Sequence, residues 1–341
     1  MSDLQRYAAV NARARALLPT LLGRNGLEAL FTYPSPNTVR DALLRTAYAP
    51  GLLTDAAPAH AVAHRLAVVG RQLLATVTDP ERAFLHTYLL RHEVESLKLV
   101  VRAVHRNSGW DTIAPYVLAL PGIASVDPQA LAQAHDLREL ADRLRRTPYE
   151  PSIRGTLHRV DAAGPFAVEV ALELDYYDRL WSVSASLRSS DTTRARHLLG
   201  ILFDILNLTW IARYRDALGL SPEEIINYTL RPGRWVTLEM RRRLAESRNQ
   251  PWDVALAGTP YAALVGNAPL GGFDGLATAL WRFLALEAQR ALVGYPFHIG
   301  VPLGLLLTQE IEIRDLRTLF AAQRLGVRAG ELPARLVGVR S

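Results

Sequence analysis

Apolar residues recur at intervals of three and four along most of this chain, which is the spacing of one face of a helix. The pattern is clearest from Leu85 to Val104 and from Leu303 to Phe320. The segment Ser221–Glu224 has the composition of a helix start, with an N-cap serine, a proline in the first turn and two acids. The pattern therefore predicts an all-α protein.

Three segments are less regular. Residues 166 to 174 alternate between apolar and other residues as a strand would, but their apolar residues also fit one helical face. We predict a helix there, because the surrounding sequence is helical. We predict a loop from Gly266 to Gly275, and a helix from Ala9 to Leu22 that Pro19 weakens.

Two motifs occur three times each, in the same order. The first, the tyrosine motif, is Leu-x-x-Thr-(Ala/Pro)-Tyr, and the second, the acid motif, is an acid followed three and four residues later by a small polar residue and leucine. The tyrosine motif spans Leu43–Tyr48, Leu144–Tyr149 and Leu256–Tyr261, which places its polar residues at Thr46 and Tyr48, Thr147 and Tyr149, and Thr259 and Tyr261. The acid motif comprises Glu93, Ser96 and Leu97, then Asp204, Asn207 and Leu208, and finally Glu312, Asp315 and Leu316.

A Pro-Gly pair follows the first two acid motifs, at Pro121-Gly122 and Pro232-Gly233, and is weakened to Val337-Gly338 in the third copy. The acids recur 111 and 108 residues apart, at positions 93, 204 and 312. This period is longer than the roughly 20–50 residues of a solenoid repeat. We therefore predict three similar helical domains around a common centre, at residues 24–125, 126–236 and 237–341, preceded by an N-terminal helix in residues 1–23.

The acids of the acid motif fall on apolar helix faces. Glu93 lies four residues from both Leu89 and Leu97, and Asp204 lies between Ile201 and Leu208. A carboxylate in such a place must find partners or take up a proton, because burial of an unpartnered charge is costly. We predict that each acid accepts a hydrogen bond from a threonine or tyrosine of a tyrosine motif. A catalytic acid is the less favoured alternative, since three equivalent copies indicate repeated architecture.

Composition limits the classes of protein that remain. The chain has 341 residues, 49% of them hydrophobic and 21% charged, as in a folded globular protein. It has no cysteine, which excludes disulfides and thiolate metal sites. Its net charge is +6 and its pI is about 9.8, with Lys98 as the single lysine. The simpler interpretation of this positive charge is a solvated basic surface. The more specific interpretation is a surface that binds an acidic or anionic partner.

Neither a signal peptide nor a membrane span is predicted. The first residues lack the apolar core of a signal peptide. The closest approach to a membrane span, His197 to Ala212, is interrupted by Asp204 and Asn207. We therefore expect a soluble protein that can still sit on a membrane-bound partner.

Motifs of enzymes are weak or missing. Asp175 and Asp178 are spaced to share a helix face, and His60 and His64 have the spacing of a zinc helix without the glutamate of a protease motif. No Walker A, dinucleotide-binding or Gly-x-Ser-x-Gly motif occurs. We predict no catalytic residue, no cofactor and no metal site.

Two C-terminal segments, Pro296–Pro302 and Gln309–Arg317, resemble the signature end of the family of C subunits of V/A-type (vacuolar/archaeal-type) ATPases, to which the eukaryotic V-ATPase d subunit also belongs. The segments Tyr7–Leu22 and Leu218–Gly233 support this resemblance. It spans nearly the whole chain, although Ala321 stands where the family tends to have arginine.

The resemblance implies an all-α, funnel-like protein of three similar domains in pseudo-threefold arrangement. Such a protein is a non-catalytic central-stalk connector, joining the rotor shaft to the membrane ring of proteolipid subunits and transmitting torque for proton or sodium transport. It would lie on the cytoplasmic face of the membrane with only peripheral membrane contact and no nucleic acid. Two alternatives remain: a helical-repeat adaptor that binds another acidic partner or nucleic acid, and an enzyme that uses Asp175 and Asp178.

Overall fold

The computed structural model describes residues 2–54, 57–118, 120–160, 164–247, 251–266 and 272–338. All regular secondary structure within these residues is helical. The predicted all-α class is confirmed for these residues. Spatial contacts divide the chain into two compact units, one formed by Met1–Val39 with Ser184–Ser341 and the other by Arg40–Val183. The three predicted domains are defined by sequence repeat rather than by contacts, so their boundaries stay a prediction.

Short helices and two longer ones build the Arg40–Val183 unit. The α-helices that lie in it, or enter it at either end, are Pro36–Leu43, Ala49–Leu52, Pro58–Ala61, His64–Leu74, Glu81–Leu89, Arg91–His105, Trp110–Ile113, Pro128–Leu131, Leu137–Arg143, Glu150–Thr156 and Phe166–Ser184. Single 3-10 turns occur at Ala114–Tyr116 and Leu157–Arg159.

Ion pairs join the helices Arg91–His105 and Phe166–Ser184. Lys98 Nζ lies 2.5 Å from an oxygen of Glu173, and Arg102 Nε lies 2.7 Å from an oxygen of Glu169. The paired residues are four apart on both helices and in opposite order, so the helices run antiparallel. The two glutamates contribute to the strand-like alternation of the sequence, since they interrupt the apolar run that includes Val168, Val170 and Leu172. The predicted helix over this segment is confirmed.

Long helices form the core of the unit made of Met1–Val39 and Ser184–Ser341. Its α-helices are Asp3–Leu17, Gly23–Leu30, Ser189–Asp216, Pro222–Asn227, Leu238–Glu246, Trp252–Ala255, Tyr261–Gly266, Gly272–Ala291, Gly300–Arg324 and Leu332–Arg335, with 3-10 turns at Leu18–Thr20 and Ala329–Glu331. The Ser189–Asp216 helix packs on Gly272–Ala291, which packs on Gly300–Arg324. The N-terminal Asp3–Leu17 helix packs against Gly300–Arg324 as well.

The Ser189–Asp216 helix is long and apolar enough to cross a membrane by length and composition. However, 78% of its apolar window is buried inside the protein. Asp204 and Asn207 are both fully buried in its middle. Its apolar character therefore reflects its position as the core helix of its unit.

Three boundaries differ from the sequence prediction. The face from Leu85 to Val104 belongs to two helices that meet at Leu90, whose N–H is shared between the carbonyls of His86 and Thr87. No glycine or proline marks this break, so periodicity alone could not reveal it. Residues 272 to 275 are helical rather than a loop, whereas residues 267–271 of that predicted loop lie outside the described residues. The first helix ends at Leu17, two residues before Pro19.

Candidate functional site: the repeated buried acids

The three tyrosine motifs fold into the same turn. In each, the threonine hydroxyl donates to the carbonyl oxygen of the leucine three residues earlier, at 2.6–2.7 Å, and accepts the N–H of the tyrosine two residues later, at 3.2–3.3 Å. The leucines and tyrosines are buried in all three copies. The predicted bond from threonine to acid is therefore wrong, because each hydroxyl proton is already given to a leucine carbonyl.

The tyrosines of the second and third copies do reach the acids. Tyr149 Oη donates to Glu93 Oε1 at 2.5 Å, and Tyr261 Oη donates to Asp204 Oδ2 at 3.0 Å. In both cases the acid of one copy binds the tyrosine of the next copy. The prediction of a tyrosine donor is confirmed for these two acids.

Glu93 also holds a loop that follows Pro121-Gly122. Its side chain is 2% exposed on the Arg91–His105 helix. Oε1 accepts the Ser125 hydroxyl at 2.6 Å, while Oε2 accepts the N–H of Ser125 and, at 3.3 Å, that of Val126. With Tyr149, the carboxylate has four donors, which offset the cost of burying it.

Asp204 holds the corresponding loop after Pro232-Gly233. Its Oδ1 accepts the N–H groups of Arg234 and Val236 at 3.0 and 3.2 Å, and its Oδ2 accepts that of Trp235 at 2.8 Å. A Cβ on Gly233 would lie 2.0 Å from Oδ1, so only glycine allows the carboxylate to approach this closely. The Pro-Gly pair of the sequence thus marks the loop that the acid binds, a relation that the spacing alone did not reveal.

The small polar residue of the acid motif has a different task in each copy. Ser96 Oγ donates to the carbonyl of His92 in its own helix at 3.0 Å. Asn207 binds both backbone groups of Leu230, accepting its N–H at 2.7 Å and donating to its carbonyl at 3.1 Å. In the second copy, the residue three positions after the acid therefore binds the same following loop as the acid does.

In the third copy, Asp315 rather than Glu312 binds the loop that follows the helix. Its two oxygens accept the N–H groups of Val337 and Gly338 at 2.8 and 2.7 Å. Glu312 instead accepts the N–H of Gly23 at 2.9 Å. A tyrosine partner for Glu312 stays a prediction.

A further acid of this kind was missed by the sequence reasoning. Asp191, in the first turn of the Ser189–Asp216 helix, accepts the Tyr7 hydroxyl at 2.9 Å and the N–H of Ile299 at 3.0 Å. Tyr7 and Asp191 are both buried. The bond secures the N-terminal helix to the core of its unit. The only signal in the sequence was an acid at a helix start, which is usually a capping residue.

Burial determines the electrostatics of these sites. It raises the pKa of Asp204 to about 6, although the bonds from Trp235 and Tyr261 act in the opposite direction. Burial likewise raises the pKa of Asp315 to about 6. The pKa values of Tyr149 and Tyr261 are also raised, first by burial and then by their acid partners. The tyrosines therefore stay protonated and act as donors near neutral pH.

Two of the other sequence candidates, His60 and Asp175, make local contacts. His60 lies in the Pro58–Ala61 helix and His64 begins the next helix, so the two do not share a helix. The His60 ring packs edge-on against Tyr116 at 4.9 Å. Asp175 pairs with Arg179 at 2.9 Å. Within the described part of the chain, no group of three or more metal-binding side chains is present.

Replacing the donor tyrosines tests their contribution to stability. We expect Tyr149→Phe and Tyr261→Phe each to lower the free energy of unfolding by about 1–3 kcal/mol, because each removes one hydrogen bond to a buried carboxylate. Tyr33→Phe is the matched control, since Tyr33 is 39% exposed, and it should change stability by less than about 0.5 kcal/mol. Urea unfolding of the full chain measures all three, and equal losses would contradict the assignment.

The raised pKa of Asp204 predicts a pH-dependent difference between wild type and Asp204→Asn. A carboxyl group with a folded pKa of about 6 and an ordinary value of 3.8 binds its proton more tightly when folded. It therefore stabilises the fold below pH 3.8, and this contribution is lost as pH rises through 6. Between pH 7.5 and 4.5 we expect the wild type to gain about 2 kcal/mol relative to the variant. A constant difference in urea unfolding across this range would show that Asp204 titrates normally.

Comparison with known proteins finds similar sequences over almost the whole chain. Residues 10–333 match the family model described as ATP synthase (C/AC39) subunit. The A-type ATP synthase C protein of Methanothermobacter thermautotrophicus is 26% identical over 335 residues, covering 94% of this chain and 85% of that protein. Its counterpart of the same name from Methanocaldococcus jannaschii is 22% identical over 353 residues, covering 99% and 88%. Since the family model spans nearly every described helix, the chain belongs to the ATP synthase (C/AC39) subunit family.

Proposed function

We propose that this chain is a non-catalytic central-stalk connector of a V/A-type rotary ATPase or ATP synthase. In this role it joins the rotor shaft to the proteolipid ring in the membrane and transmits torque for proton or sodium transport. The observation that carries the proposal is the family match over residues 10–333, together with relatives that are themselves subunits of A-type ATP synthases.

The helical framework supports a mechanical role. The Ser189–Asp216 and Gly300–Arg324 helices have 28 and 25 residues, which corresponds to about 42 and 38 Å at 1.5 Å per residue. Close-packed helices of this length resist compression and transmit strain. The buried acids add fixed attachments between these helices and the following loops.

The bonding of the buried acids supports a structural rather than a catalytic role. Glu93 and Asp204 each accept four hydrogen bonds from groups of this chain. A general acid or base must keep an oxygen available to its substrate. Carboxylates whose oxygens already accept hydrogen bonds in this way hold the backbone in place.

The proposal extends to partners and location. We place the chain on the cytoplasmic face of the membrane, between central-stalk shaft subunits and the rotor ring, with only peripheral contact to lipid. The three sequence repeats would supply a pseudo-threefold, funnel-like seat for the shaft. The net charge of +6 would favour acidic partner surfaces.

Affinity purification of the tagged chain from its own cells in mild detergent tests this role. We expect mass spectrometry to find both the ring proteolipid and the shaft subunits, because a connector binds the two at once. An untagged extract processed in parallel is the control for carry-over. If both were absent at low salt, in a lysate where the intact ATPase is detected, the connector role would be excluded.

A further inference from the structure

A basic groove lies in the unit that contains the Ser189–Asp216 helix. Its volume is about 420 Å³. Three arginines and two histidines line it, together with one acid: Arg194, Arg234, Arg290, His197, His298 and Glu287. These residues come from the Ser189–Asp216 and Gly272–Ala291 helices, from the loop after Gly233 and from the segment before Gly300.

The single acid does not neutralise the groove. Glu287 is the one acid among the described residues that line the groove. It accepts a hydrogen bond from His197 Nε2 at 2.7 Å and forms an ion pair with Arg290. Arg194 donates one N–H to the carbonyl of Ser190 in its own helix at 3.3 Å. The guanidinium of Arg234 lies 5.3 Å from the ring centre of Trp235. Three arginines against one glutamate leave two positive charges on the walls, before any histidine is protonated.

Two of the buried acids hold the walls of the groove in place. Asp204 accepts the backbone N–H of Arg234 at 3.0 Å, and Asp191 accepts that of Ile299, next to His298, at 3.0 Å. The backbones that carry Arg234 and His298 are therefore fixed before any ligand arrives. Such preorganisation reduces the entropic cost of binding.

His298 adds a polar ring to the wall of the groove, and the backbone of Tyr295 bonds to this ring. His298 is 8% exposed, and its Nδ1 atom makes no hydrogen bond to the described part of the structure. Burial, and then the charge of Arg194, lower the pKa of His298. A buried ring nitrogen without a partner is costly unless a ligand or water bonds to it.

We propose that this groove binds a phosphate group through Arg194, Arg234 and Arg290. A phosphate monoester or inorganic phosphate carries about −1.5 to −2 charges at pH 7, which complements the excess of three arginines over one glutamate on the walls of the groove. Arginine also suits phosphate geometrically, since its planar guanidinium donates two parallel N–H bonds.

Titration of the full chain with inorganic phosphate tests the proposal. Calorimetry at constant ionic strength, balanced with sodium chloride, measures the Kd of the wild type and of Arg194→Gln and Arg234→Gln. We expect each substitution to raise the Kd by about tenfold or more, because it removes charge-assisted hydrogen bonds. The backbone N–H that Arg234 gives to Asp204 remains in the Arg234→Gln variant, so the loop is not disturbed.

Arg328→Gln is the matched control, since Arg328 is exposed and does not line the groove. It removes the same charge, and we expect its Kd for phosphate to stay within about twofold of the wild-type value, because only long-range attraction is lost. If the wild type binds no phosphate at about 10 mM, or the control weakens binding as much as the groove variants do, the proposal fails.

Parallel titrations identify the source of the phosphate. The probes are ATP without magnesium and vesicles of phosphatidic acid in phosphatidylcholine, with pure phosphatidylcholine as the blank. Tighter binding of ATP or of the phosphatidic acid vesicles than of inorganic phosphate, lost in the same two variants, assigns the groove to a nucleotide or to a lipid headgroup. Binding that survives both substitutions would place that ligand elsewhere and overturn the assignment.

Discussion

A buried carboxylate that accepts backbone N–H groups is the interaction on which this structure depends. A short helical turn or loop has N–H groups that no helix satisfies, and burying them without partners costs free energy. Glu93, Asp204 and Asp315 each lie on a core helix and accept such groups from a following loop. Each acid in turn needs these donors, because burial penalises its charge. Helix and loop therefore stabilise each other.

The copies differ in which residue performs this task, and the difference follows from geometry. Residues 204 and 207, one helical turn apart, both face the loop that follows the helix, so either position can supply the acceptor. In the second copy, Asp204 and Asn207 both bind the loop. In the third copy, Asp315 binds the loop and Glu312 accepts the N–H of Gly23. Equivalent positions of the acid motif thus have different partners in different copies.

Periodicity and motif spacing predicted the helical class, the burial of the acids and the tyrosine donors of Glu93 and Asp204. They could not predict that the threonine would be used within its own turn, because a hydroxyl satisfies a local carbonyl as easily as a distant acid. Leu90 separates two helices without a glycine or proline, so no local signal existed. The basic groove was also invisible, since its arginines are brought together only by tertiary packing. What the sequence lacked in each case was the partner supplied by another element.

The most direct test of the central claim is hydrogen exchange at the amides of Trp235 and Val236, resolved by NMR. Both lie outside the helices, and both donate to Asp204. If the acid fastens the loop to the core, these amides exchange as slowly as those in the middle of the Ser189–Asp216 helix, and in Asp204→Ala they exchange much faster while that helix stays protected. Exchange in the wild type as fast as at the exposed turn around Gly258 would contradict the account.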